Sequence, residues 1–320
     1  MRLVILDKAS LDCGDLNFSK LNTLGLIIEE FDSTNPDQIS ERILEADIVV
    51  TNKVIIDSDI IKQAKNLKLI CITATGTNNV DLVAAKQKEI VVCNVTGYAT
   101  SSVVQHVFML ITALNTNLSQ YRQALKAERW SESKFFCLLD FPITDLEGKI
   151  LGIIGYGELG RGVAKVAAAF GMKILIAESL KPEKDCNDNR VALTTLLSKS
   201  DIVSLHCPLT PQTENLISDA EFEIMKSSAL LINTARGGIV NENALLHALN
   251  TKQIAGAGVD VLVNEPPLTN EPLLTSELSN LIVTPHIAWA SLSSRQRLFD
   301  SVISNIEAFL RKSPTNVVNN

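Results

Sequence analysis

The chain has 320 residues, 46% of them hydrophobic, enough for two domains or one large one with a sizeable core. Its formal net charge of −7 argues against a nucleic-acid partner, which calls for a basic face. No run approaches the length of a membrane-spanning helix, and the opening Met1-Arg2-Leu3-Val4-Ile5-Leu6-Asp7 turns polar too soon for a signal peptide. The six cysteines are scattered with no CxxC spacing, which points to reduced thiols in a cytoplasmic protein, with neither disulfides nor a metal site.

Residues 1–100 alternate strand and helix signals. Strands are predicted at 3–6, 26–31, 48–51, 69–73 and 91–93, with helices at 18–24, 37–45, 57–64 and 82–88. This is the pattern of a small parallel α/β domain. The loop Ala74-Thr75-Gly76-Thr77-Asn78-Asn79 leaves the carboxyl end of a strand, where open α/β sheets take their ligands. Residues 101–118 read as one nearly apolar helix, buried between domains or subunits, with His106 as a satisfied core histidine. Residues 119–145 carry Trp130, Phe135, Phe136 and Phe141 among polar neighbours, as an arm lying on another surface does, and a subunit interface is expected there.

The strongest local signal follows. A strand-type run at 149–154 enters Gly155-Tyr156-Gly157-Glu158-Leu159-Gly160, a helix reads from 161 to 170, and a second strand at 172–177 ends at Glu178. Gly155 allows a tight turn, Gly157 lets backbone approach a pyrophosphate, and Gly160 lets helix and strand pack closely. The helix start, at Glu158 and Leu159, offers free N–H groups and partial positive charge to phosphates. Glu178 stands where an acid accepts hydrogen bonds from ribose hydroxyls, so the order of parts predicts a dinucleotide site. Because Glu178 opposes a 2′-phosphate by like charge, NAD is expected over NADP, with Lys181 the nearest cation able to weaken that preference.

The α/β alternation continues to residue 286, through a loop at 181–189 and strands at 202–206, 229–233, 255–260 and 281–283. Three ionisable residues follow strand ends: Arg236, Glu265 and His286. Hydride transfer between a nicotinamide and a carbonyl needs a proton donor, a partner that keeps it protonated, and a cation for the substrate's charge. His286, Glu265 and Arg236 match those roles, since a carboxylate favours the charged imidazole and Arg grips a carboxylate bidentately. His247 lies in a polar-flanked helix, and His206 is better placed to line a cofactor crevice than to donate a proton.

The motifs Gly155–Gly160, His206-Cys207-Pro208-Leu209-Thr210, Asn233-Thr234-Ala235-Arg236-Gly237-Gly238, Gly258-Val259-Asp260-Val261 with Glu265-Pro266-Pro267, and Thr284-Pro285-His286-Ile287-Ala288-Trp289 occur in order along the chain. Together they resemble the D-isomer-specific 2-hydroxyacid dehydrogenase family, over essentially the whole length. Residues 74–79, 93–98 and Trp289 are most similar to its glycerate dehydrogenase (hydroxypyruvate reductase) branch. The resemblance implies an α/β fold of two Rossmann-like or flavodoxin-like domains with parallel sheets and an active-site cleft between them. The substrate-binding domain would comprise 1–100 completed by 287–320, with an NAD-binding domain at 101–286.

By the same resemblance Arg236 binds the substrate's carboxylate and carbonyl, His286 is the acid/base, and Glu265 orients and charges it. Asp260 contacts the nicotinamide carboxamide, Cys207 and Pro208 line the adenosine side, and Thr234 and Ala235 approach the nicotinamide half. Thr75, Gly76 and Thr77 offer N–H groups to the substrate. Asn52 and Lys53 are expected to reach a terminal hydroxyl, and Trp289 to wall the pocket. Glu178 replaces the family's more frequent Asp, and Asn241-Glu242-Asn243 a more acidic stretch. The implied reaction is NADH-dependent reduction of a small 2-oxo acid, hydroxypyruvate first and glyoxylate second, by a homodimer. Alternatives are a general 2-oxo acid reductase, a phosphoglycerate dehydrogenase-like enzyme, or an NAD(H)-sensing binding protein.

Overall fold

Short runs of Val, Ile and Leu between polar turns become buried parallel strands throughout the chain. The computed structural model describes residues 1–179 and 190–319. The chain forms two compact units, Met1–Ala99 with Ala290–Asn320, and Thr100–Trp289. The predicted loop at 181–189, with Lys181, lies outside the described residues.

The first unit starts with β1 (Arg2–Ile5), α1 (Ser19–Asn22), β2 (Ile27–Glu30), α2 (Ile39–Ile43), β3 (Ile48–Thr51), α3 (Ser58–Gln63), β4 (Leu69–Ile72), α4 (Leu82–Gln87) and β5 (Val91–Cys93). The strand order is β2-β1-β3-β4-β5, all parallel, which is a flavodoxin-like winding. β3 and β4 are buried at every residue, as strands covered on both faces must be. Asp57 caps α3 by accepting from the N–H groups of Asp59 and Ile60, and Asp81 caps α4 through Ala84. Val4, Ile43, Val49, Ile61, Ile70 and Val92 share one apolar cluster.

The second unit starts with α5 (Thr100–Asn115). The helix read as running to 118 stops there, because Asn117 takes a left-handed conformation at φ 52° that Asn tolerates. A separate helix, α6 (Leu118–Lys126), follows. β6 (Ile150–Ile154), α7 (Glu158–Ala169), β7 (Lys173–Ala177), β8 (Arg190–Val191), α8 (Leu193–Lys199), β9 (Ile202–Leu205), α9 (Asp219–Ile224), β10 (Leu230–Asn233), α10 (Glu242–Asn250), β11 (Gly256–Val259), α11 (Pro272–Thr275) and β12 (Leu281–Val283) complete the alternation. The sheet order is β12-β11-β10-β9-β6-β7-β8, all parallel. The winding reverses between β6 and β9, so their carboxyl ends flank the crevice in which such sheets bind dinucleotides. α5 lies against β10 and β11, with Leu110 and Leu114 over Gly258 and Gly256, where side chains on the strand would hold the helix off.

The last helix, α12 (Leu292–Leu310), belongs to the first unit and packs on β4. Beyond it, Val318 donates its N–H to Val92 O at 2.9 Å, and Asn319 Oδ1 accepts from Val92 N, also at 2.9 Å. The tail thereby covers the open edge of β5, an edge that would otherwise invite another chain.

Candidate active site

Gly155 leaves β6 at φ +95°, and a Cβ there would stand 2.5 Å from the backbone of His206 and Cys207. Only glycine lets the two exits at the reversal point run this close. Gly157 is the N-cap of α7, and a Cβ on it meets nothing within 4 Å, so open space lies over the helix start. A Cβ on Gly160 would meet Gly155 O at 2.3 Å, which makes it the close-packing glycine of the motif. The first N–H groups of α7, including those of Glu158 and Leu159, point out of the helix end as an anion site requires. Glu178 is exposed just past β7, its N–H bonded to Val191 O at 2.9 Å.

Two buried polar atoms near these exits have no partner among the described residues: His206 Nδ1 and Thr234 Oγ1. They follow the adjacent strands β9 and β10. An unpaired buried polar atom is costly, so each marks a place where a ligand or water completes the bonding. Burial pushes the His206 pKa down to about 4, so its ring is neutral at neutral pH, with Nε2 2.9 Å from Ser204 Oγ. Cys207 is buried and Pro208 exposed. Pro208 O accepts from Thr213 Oγ1 at 2.7 Å, which braces the loop.

The three expected catalytic side chains all sit on loops that leave strands of this sheet. Arg236 follows β10 and is exposed. Its loop is shaped by Asn233, 2% exposed, whose Oδ1 accepts from Ala235 N and whose Nδ2 donates to Arg236 O. This is the side chain–backbone turn that Asn forms readily, and the motif Asn233-Thr234-Ala235-Arg236 carried its signal in the sequence. Arg236 Nη1 donates to Ala235 O at 2.7 Å. Buried Ala235 lies between these two groups.

Glu265 follows β11. Its Oε1 accepts from Leu262 N at 3.0 Å, and its Oε2 lies 2.6 Å from His286 Nδ1. Nδ1 therefore carries the proton donated to the carboxylate, which leaves Nε2 as the ring nitrogen outside this pair. Glu242, in the departure from the family's acidic stretch, takes part as well: Oε1 accepts from Val263 N at 2.8 Å, within the segment that carries Glu265. Burial raises the Glu242 pKa; its bond from Val263 opposes that shift.

His286 stands at φ +53°, in the left-handed region that non-glycine residues avoid. Its surroundings hold it there. Asp260, 1% exposed, accepts from Ile287 N at 3.0 Å, from Ala288 N at 2.8 Å and from Thr284 Oγ1 at 2.5 Å. Trp289 Nε1 donates to His286 O at 2.9 Å. Asp260 and Trp289, expected to meet cofactor and substrate, thus also clamp the loop that bears the histidine.

In the first unit, the exits of β1 and β3 flank the point where its winding reverses. Asp7 accepts there from the N–H groups of Asn52 at 2.9 Å and Lys53 at 2.7 Å, so its carboxylate already occupies these backbone donors. Asn52 is 6% exposed and its Nδ2 donates to Ser10 Oγ, so the amide braces a neighbouring loop; Lys53 is exposed. The loop after β4 is framed differently. Asn94 Nδ2 donates to Thr75 O at 2.7 Å, and Thr75 Oγ1 donates to Val95 O at 2.9 Å. Among the described residues, no N–H of Thr75, Gly76 or Thr77 donates to a backbone carbonyl.

Comparison with known proteins agrees with this geometry. Residues 108–288 match the family model for the D-isomer specific 2-hydroxyacid dehydrogenase, NAD binding domain. Glycerate dehydrogenase of Methylorubrum extorquens is 45% identical over 99% of this chain and 98% of its own. Hydroxypyruvate reductase of Blautia hydrogenotrophica is 38% identical over 100% of both chains. Among solved structures, an acyclic imino acid reductase in complex with NADPH and D-Arg superposes with TM-score 0.84 at 30% identity, covering 99% of this chain and 100% of that one. The chain belongs to the D-isomer specific 2-hydroxyacid dehydrogenase family. It is an NAD-dependent oxidoreductase. The open space over Gly157, the free start of α7 and the unpartnered atoms of His206 and Thr234 fit a dinucleotide along the carboxyl ends of β6, β9 and β10.

Proposed function

We propose that this protein reduces hydroxypyruvate to D-glycerate with NADH, and glyoxylate more slowly. The observation that carries the reading is the His286–Glu265 pair, 2.6 Å apart on loops leaving neighbouring strands of the NAD-binding sheet. The nicotinamide supplies the hydride. Glu265 holds the imidazole through Nδ1, and His286 gives its Nε2 proton to the developing alkoxide. Arg236 holds the carboxylate and polarises the carbonyl as a fork of donors. The N–H groups of Thr75, Gly76 and Thr77 take the carboxylate, Lys53 reaches the carbon-three hydroxyl, and Trp289 limits bulk. Cys207 and Pro208 line the adenosine, Glu178 binds its ribose, and Thr234, Ala235 and Asp260 meet the nicotinamide half.

NADH oxidation measured with hydroxypyruvate, glyoxylate and pyruvate, and repeated with NADPH, tests this reading. A pocket that hydrogen-bonds a hydroxyl leaves polar groups unpaired with an analogue that lacks it, so pyruvate should fall at least about a hundredfold below hydroxypyruvate in kcat/KM. NADPH should be the poorer cofactor, because Glu178 faces its 2′-phosphate. Equal efficiency with pyruvate points to a generalist reductase, and equal use of NADPH removes the role given to Glu178.

The chain is further read as a cytoplasmic homodimer joined through the second unit. α5 buries Val103, Val107, Leu110 and Ile111 within its own unit, so the support for a dimer rests on the arm. Phe141 is taken up locally, stacked edge-on against Tyr121 at 5.1 Å, but Phe136 is 91%, Leu139 81% and Phe135 75% exposed. Such a patch on a soluble protein calls for a covering surface. Sedimentation at micromolar concentration should give about twice the chain mass of 34.8 kDa, and a monomer would rule the dimer out.

A further inference from the structure

His106 lies on the apolar helix α5, and the sequence offers it no task. Its Nε2 is 2.9 Å from Thr284 Oγ1, whose own proton goes to Asp260 Oδ1 at 2.5 Å. Thr284 therefore accepts from His106, and Nε2 is the protonated nitrogen. Nε2 also stands 3.4 Å from Asp260 Oδ1. Burial lowers the His106 pKa while Asp260 raises it, and the neutral Nε2–H tautomer already meets the bonding. Four residues before His106, one helical turn away, Ser102 Oγ donates to Ala288 O at 2.7 Å. Residues four apart share a helix face. One face of α5 thus presents two donors to the loop that carries His286, while Asp260 takes two N–H groups of that loop.

We propose that Ser102 and His106 are positioning residues for His286: together with Thr284 and Asp260 they lock the 286–288 loop and hold the imidazole in its left-handed backbone conformation. A left-handed non-glycine residue relaxes unless its neighbours prevent it. Without Nε2–H, Thr284 Oγ1 loses its donor. Without Ser102, Ala288 O loses one that ties the loop to α5. Neither residue is given any contact with substrate or cofactor, so their removal acts through the placement of His286. The catalytic consequence rests on the role proposed for His286, whereas the locking itself does not.

The test combines amide exchange of the peptide spanning 284–290 with steady-state kinetics. In His106→Leu, exchange of this peptide should rise and kcat for hydroxypyruvate fall by on the order of tenfold or more, with NADH affinity kept. His106→Gln, whose amide N–H can replace Nε2–H, should restore both. Ser102→Ala, which leaves no large cavity, should raise exchange of the same peptide and serves if His106→Leu does not fold. Wild-type exchange in His106→Leu, or in Ser102→Ala where that variant must stand in, overturns the proposal. So does a His106→Gln as impaired as His106→Leu, which would make the residue a mere space-filler. If the wild-type protein fails to reduce hydroxypyruvate, the exchange measurements still decide the locking role, and it is the substrate assignment that falls.

Discussion

Replacing His286 with Ala should lower kcat for hydroxypyruvate by on the order of a hundredfold or more, while NADH still binds. The ring is held by one carboxylate contact at Nδ1 and by a backbone that Asp260 and Trp289 grip through main-chain groups. Those grips do not involve the imidazole, so the alanine variant should keep the loop and lose the proton donor alone. Glu265→Gln should give a smaller loss, because an amide oxygen can still accept from Nδ1 but binds it less strongly than a carboxylate does. Stopped-flow NADH binding separates the effects: unchanged binding with lost turnover is the expected result. A His286→Ala protein that turns over at the wild-type rate would move the acid to another residue.

Gly237→Ala should be the most damaging single-methyl change near the site. A Cβ at Gly237 would stand 1.9 Å from Leu262 O, 2.1 Å from Leu262 C and 2.5 Å from Val263 N. All three are backbone atoms, and none belongs to a side chain that can swing away. The new methyl must push apart the loop bearing Arg236 and the segment bearing Glu265, which this glycine lets touch. Overpacking of this kind costs roughly 1–3 kcal/mol, and a displacement near 1 Å at a reacting group costs about a hundredfold in rate. A lowered melting temperature together with a fall in kcat/KM is therefore expected. Gly157→Ala is the contrast: its Cβ meets no protein atom within 4 Å, so stability should hold while the KM for NADH rises. Wild-type melting and kinetics in Gly237→Ala would show that the two loops do not depend on their close contact.

The parallel α/β class was legible because strand and helix periods alternate cleanly, and the nucleotide motif because strand, glycines, helix and acid come in a fixed order. Arg236, Glu265 and His286 could be singled out because each is an ionisable residue just past a strand end. What holds them was harder to see. Asp260 acts on the backbone N–H groups of Ile287 and Ala288, which no side-chain pattern announces. His106 reaches a threonine 178 positions away, so its apolar helix made it resemble an ordinary core histidine. The bracing bonds of Asn52, from Nδ2 to Ser10 Oγ and from its N–H to Asp7, go to partners 42 and 45 positions away, which its place at a strand end does not announce. The break after α5 depends on one residue, Asn117, entering the left-handed region, which the neighbouring residues do not force. The two-residue β8 is too short to show a period at all.

The most direct measurement of the central claim is the handedness of the product. Hydroxypyruvate and NADH incubated with the purified protein should yield D-glycerate alone, in an amount equal to the NADH consumed. A single isomer follows if hydride arrives on one face of a carbonyl that Arg236 and His286 hold in one orientation, and the D-isomer is the one that the family's specificity calls for. L-Glycerate, a mixture of the two isomers, or no NADH consumption at all would contradict it.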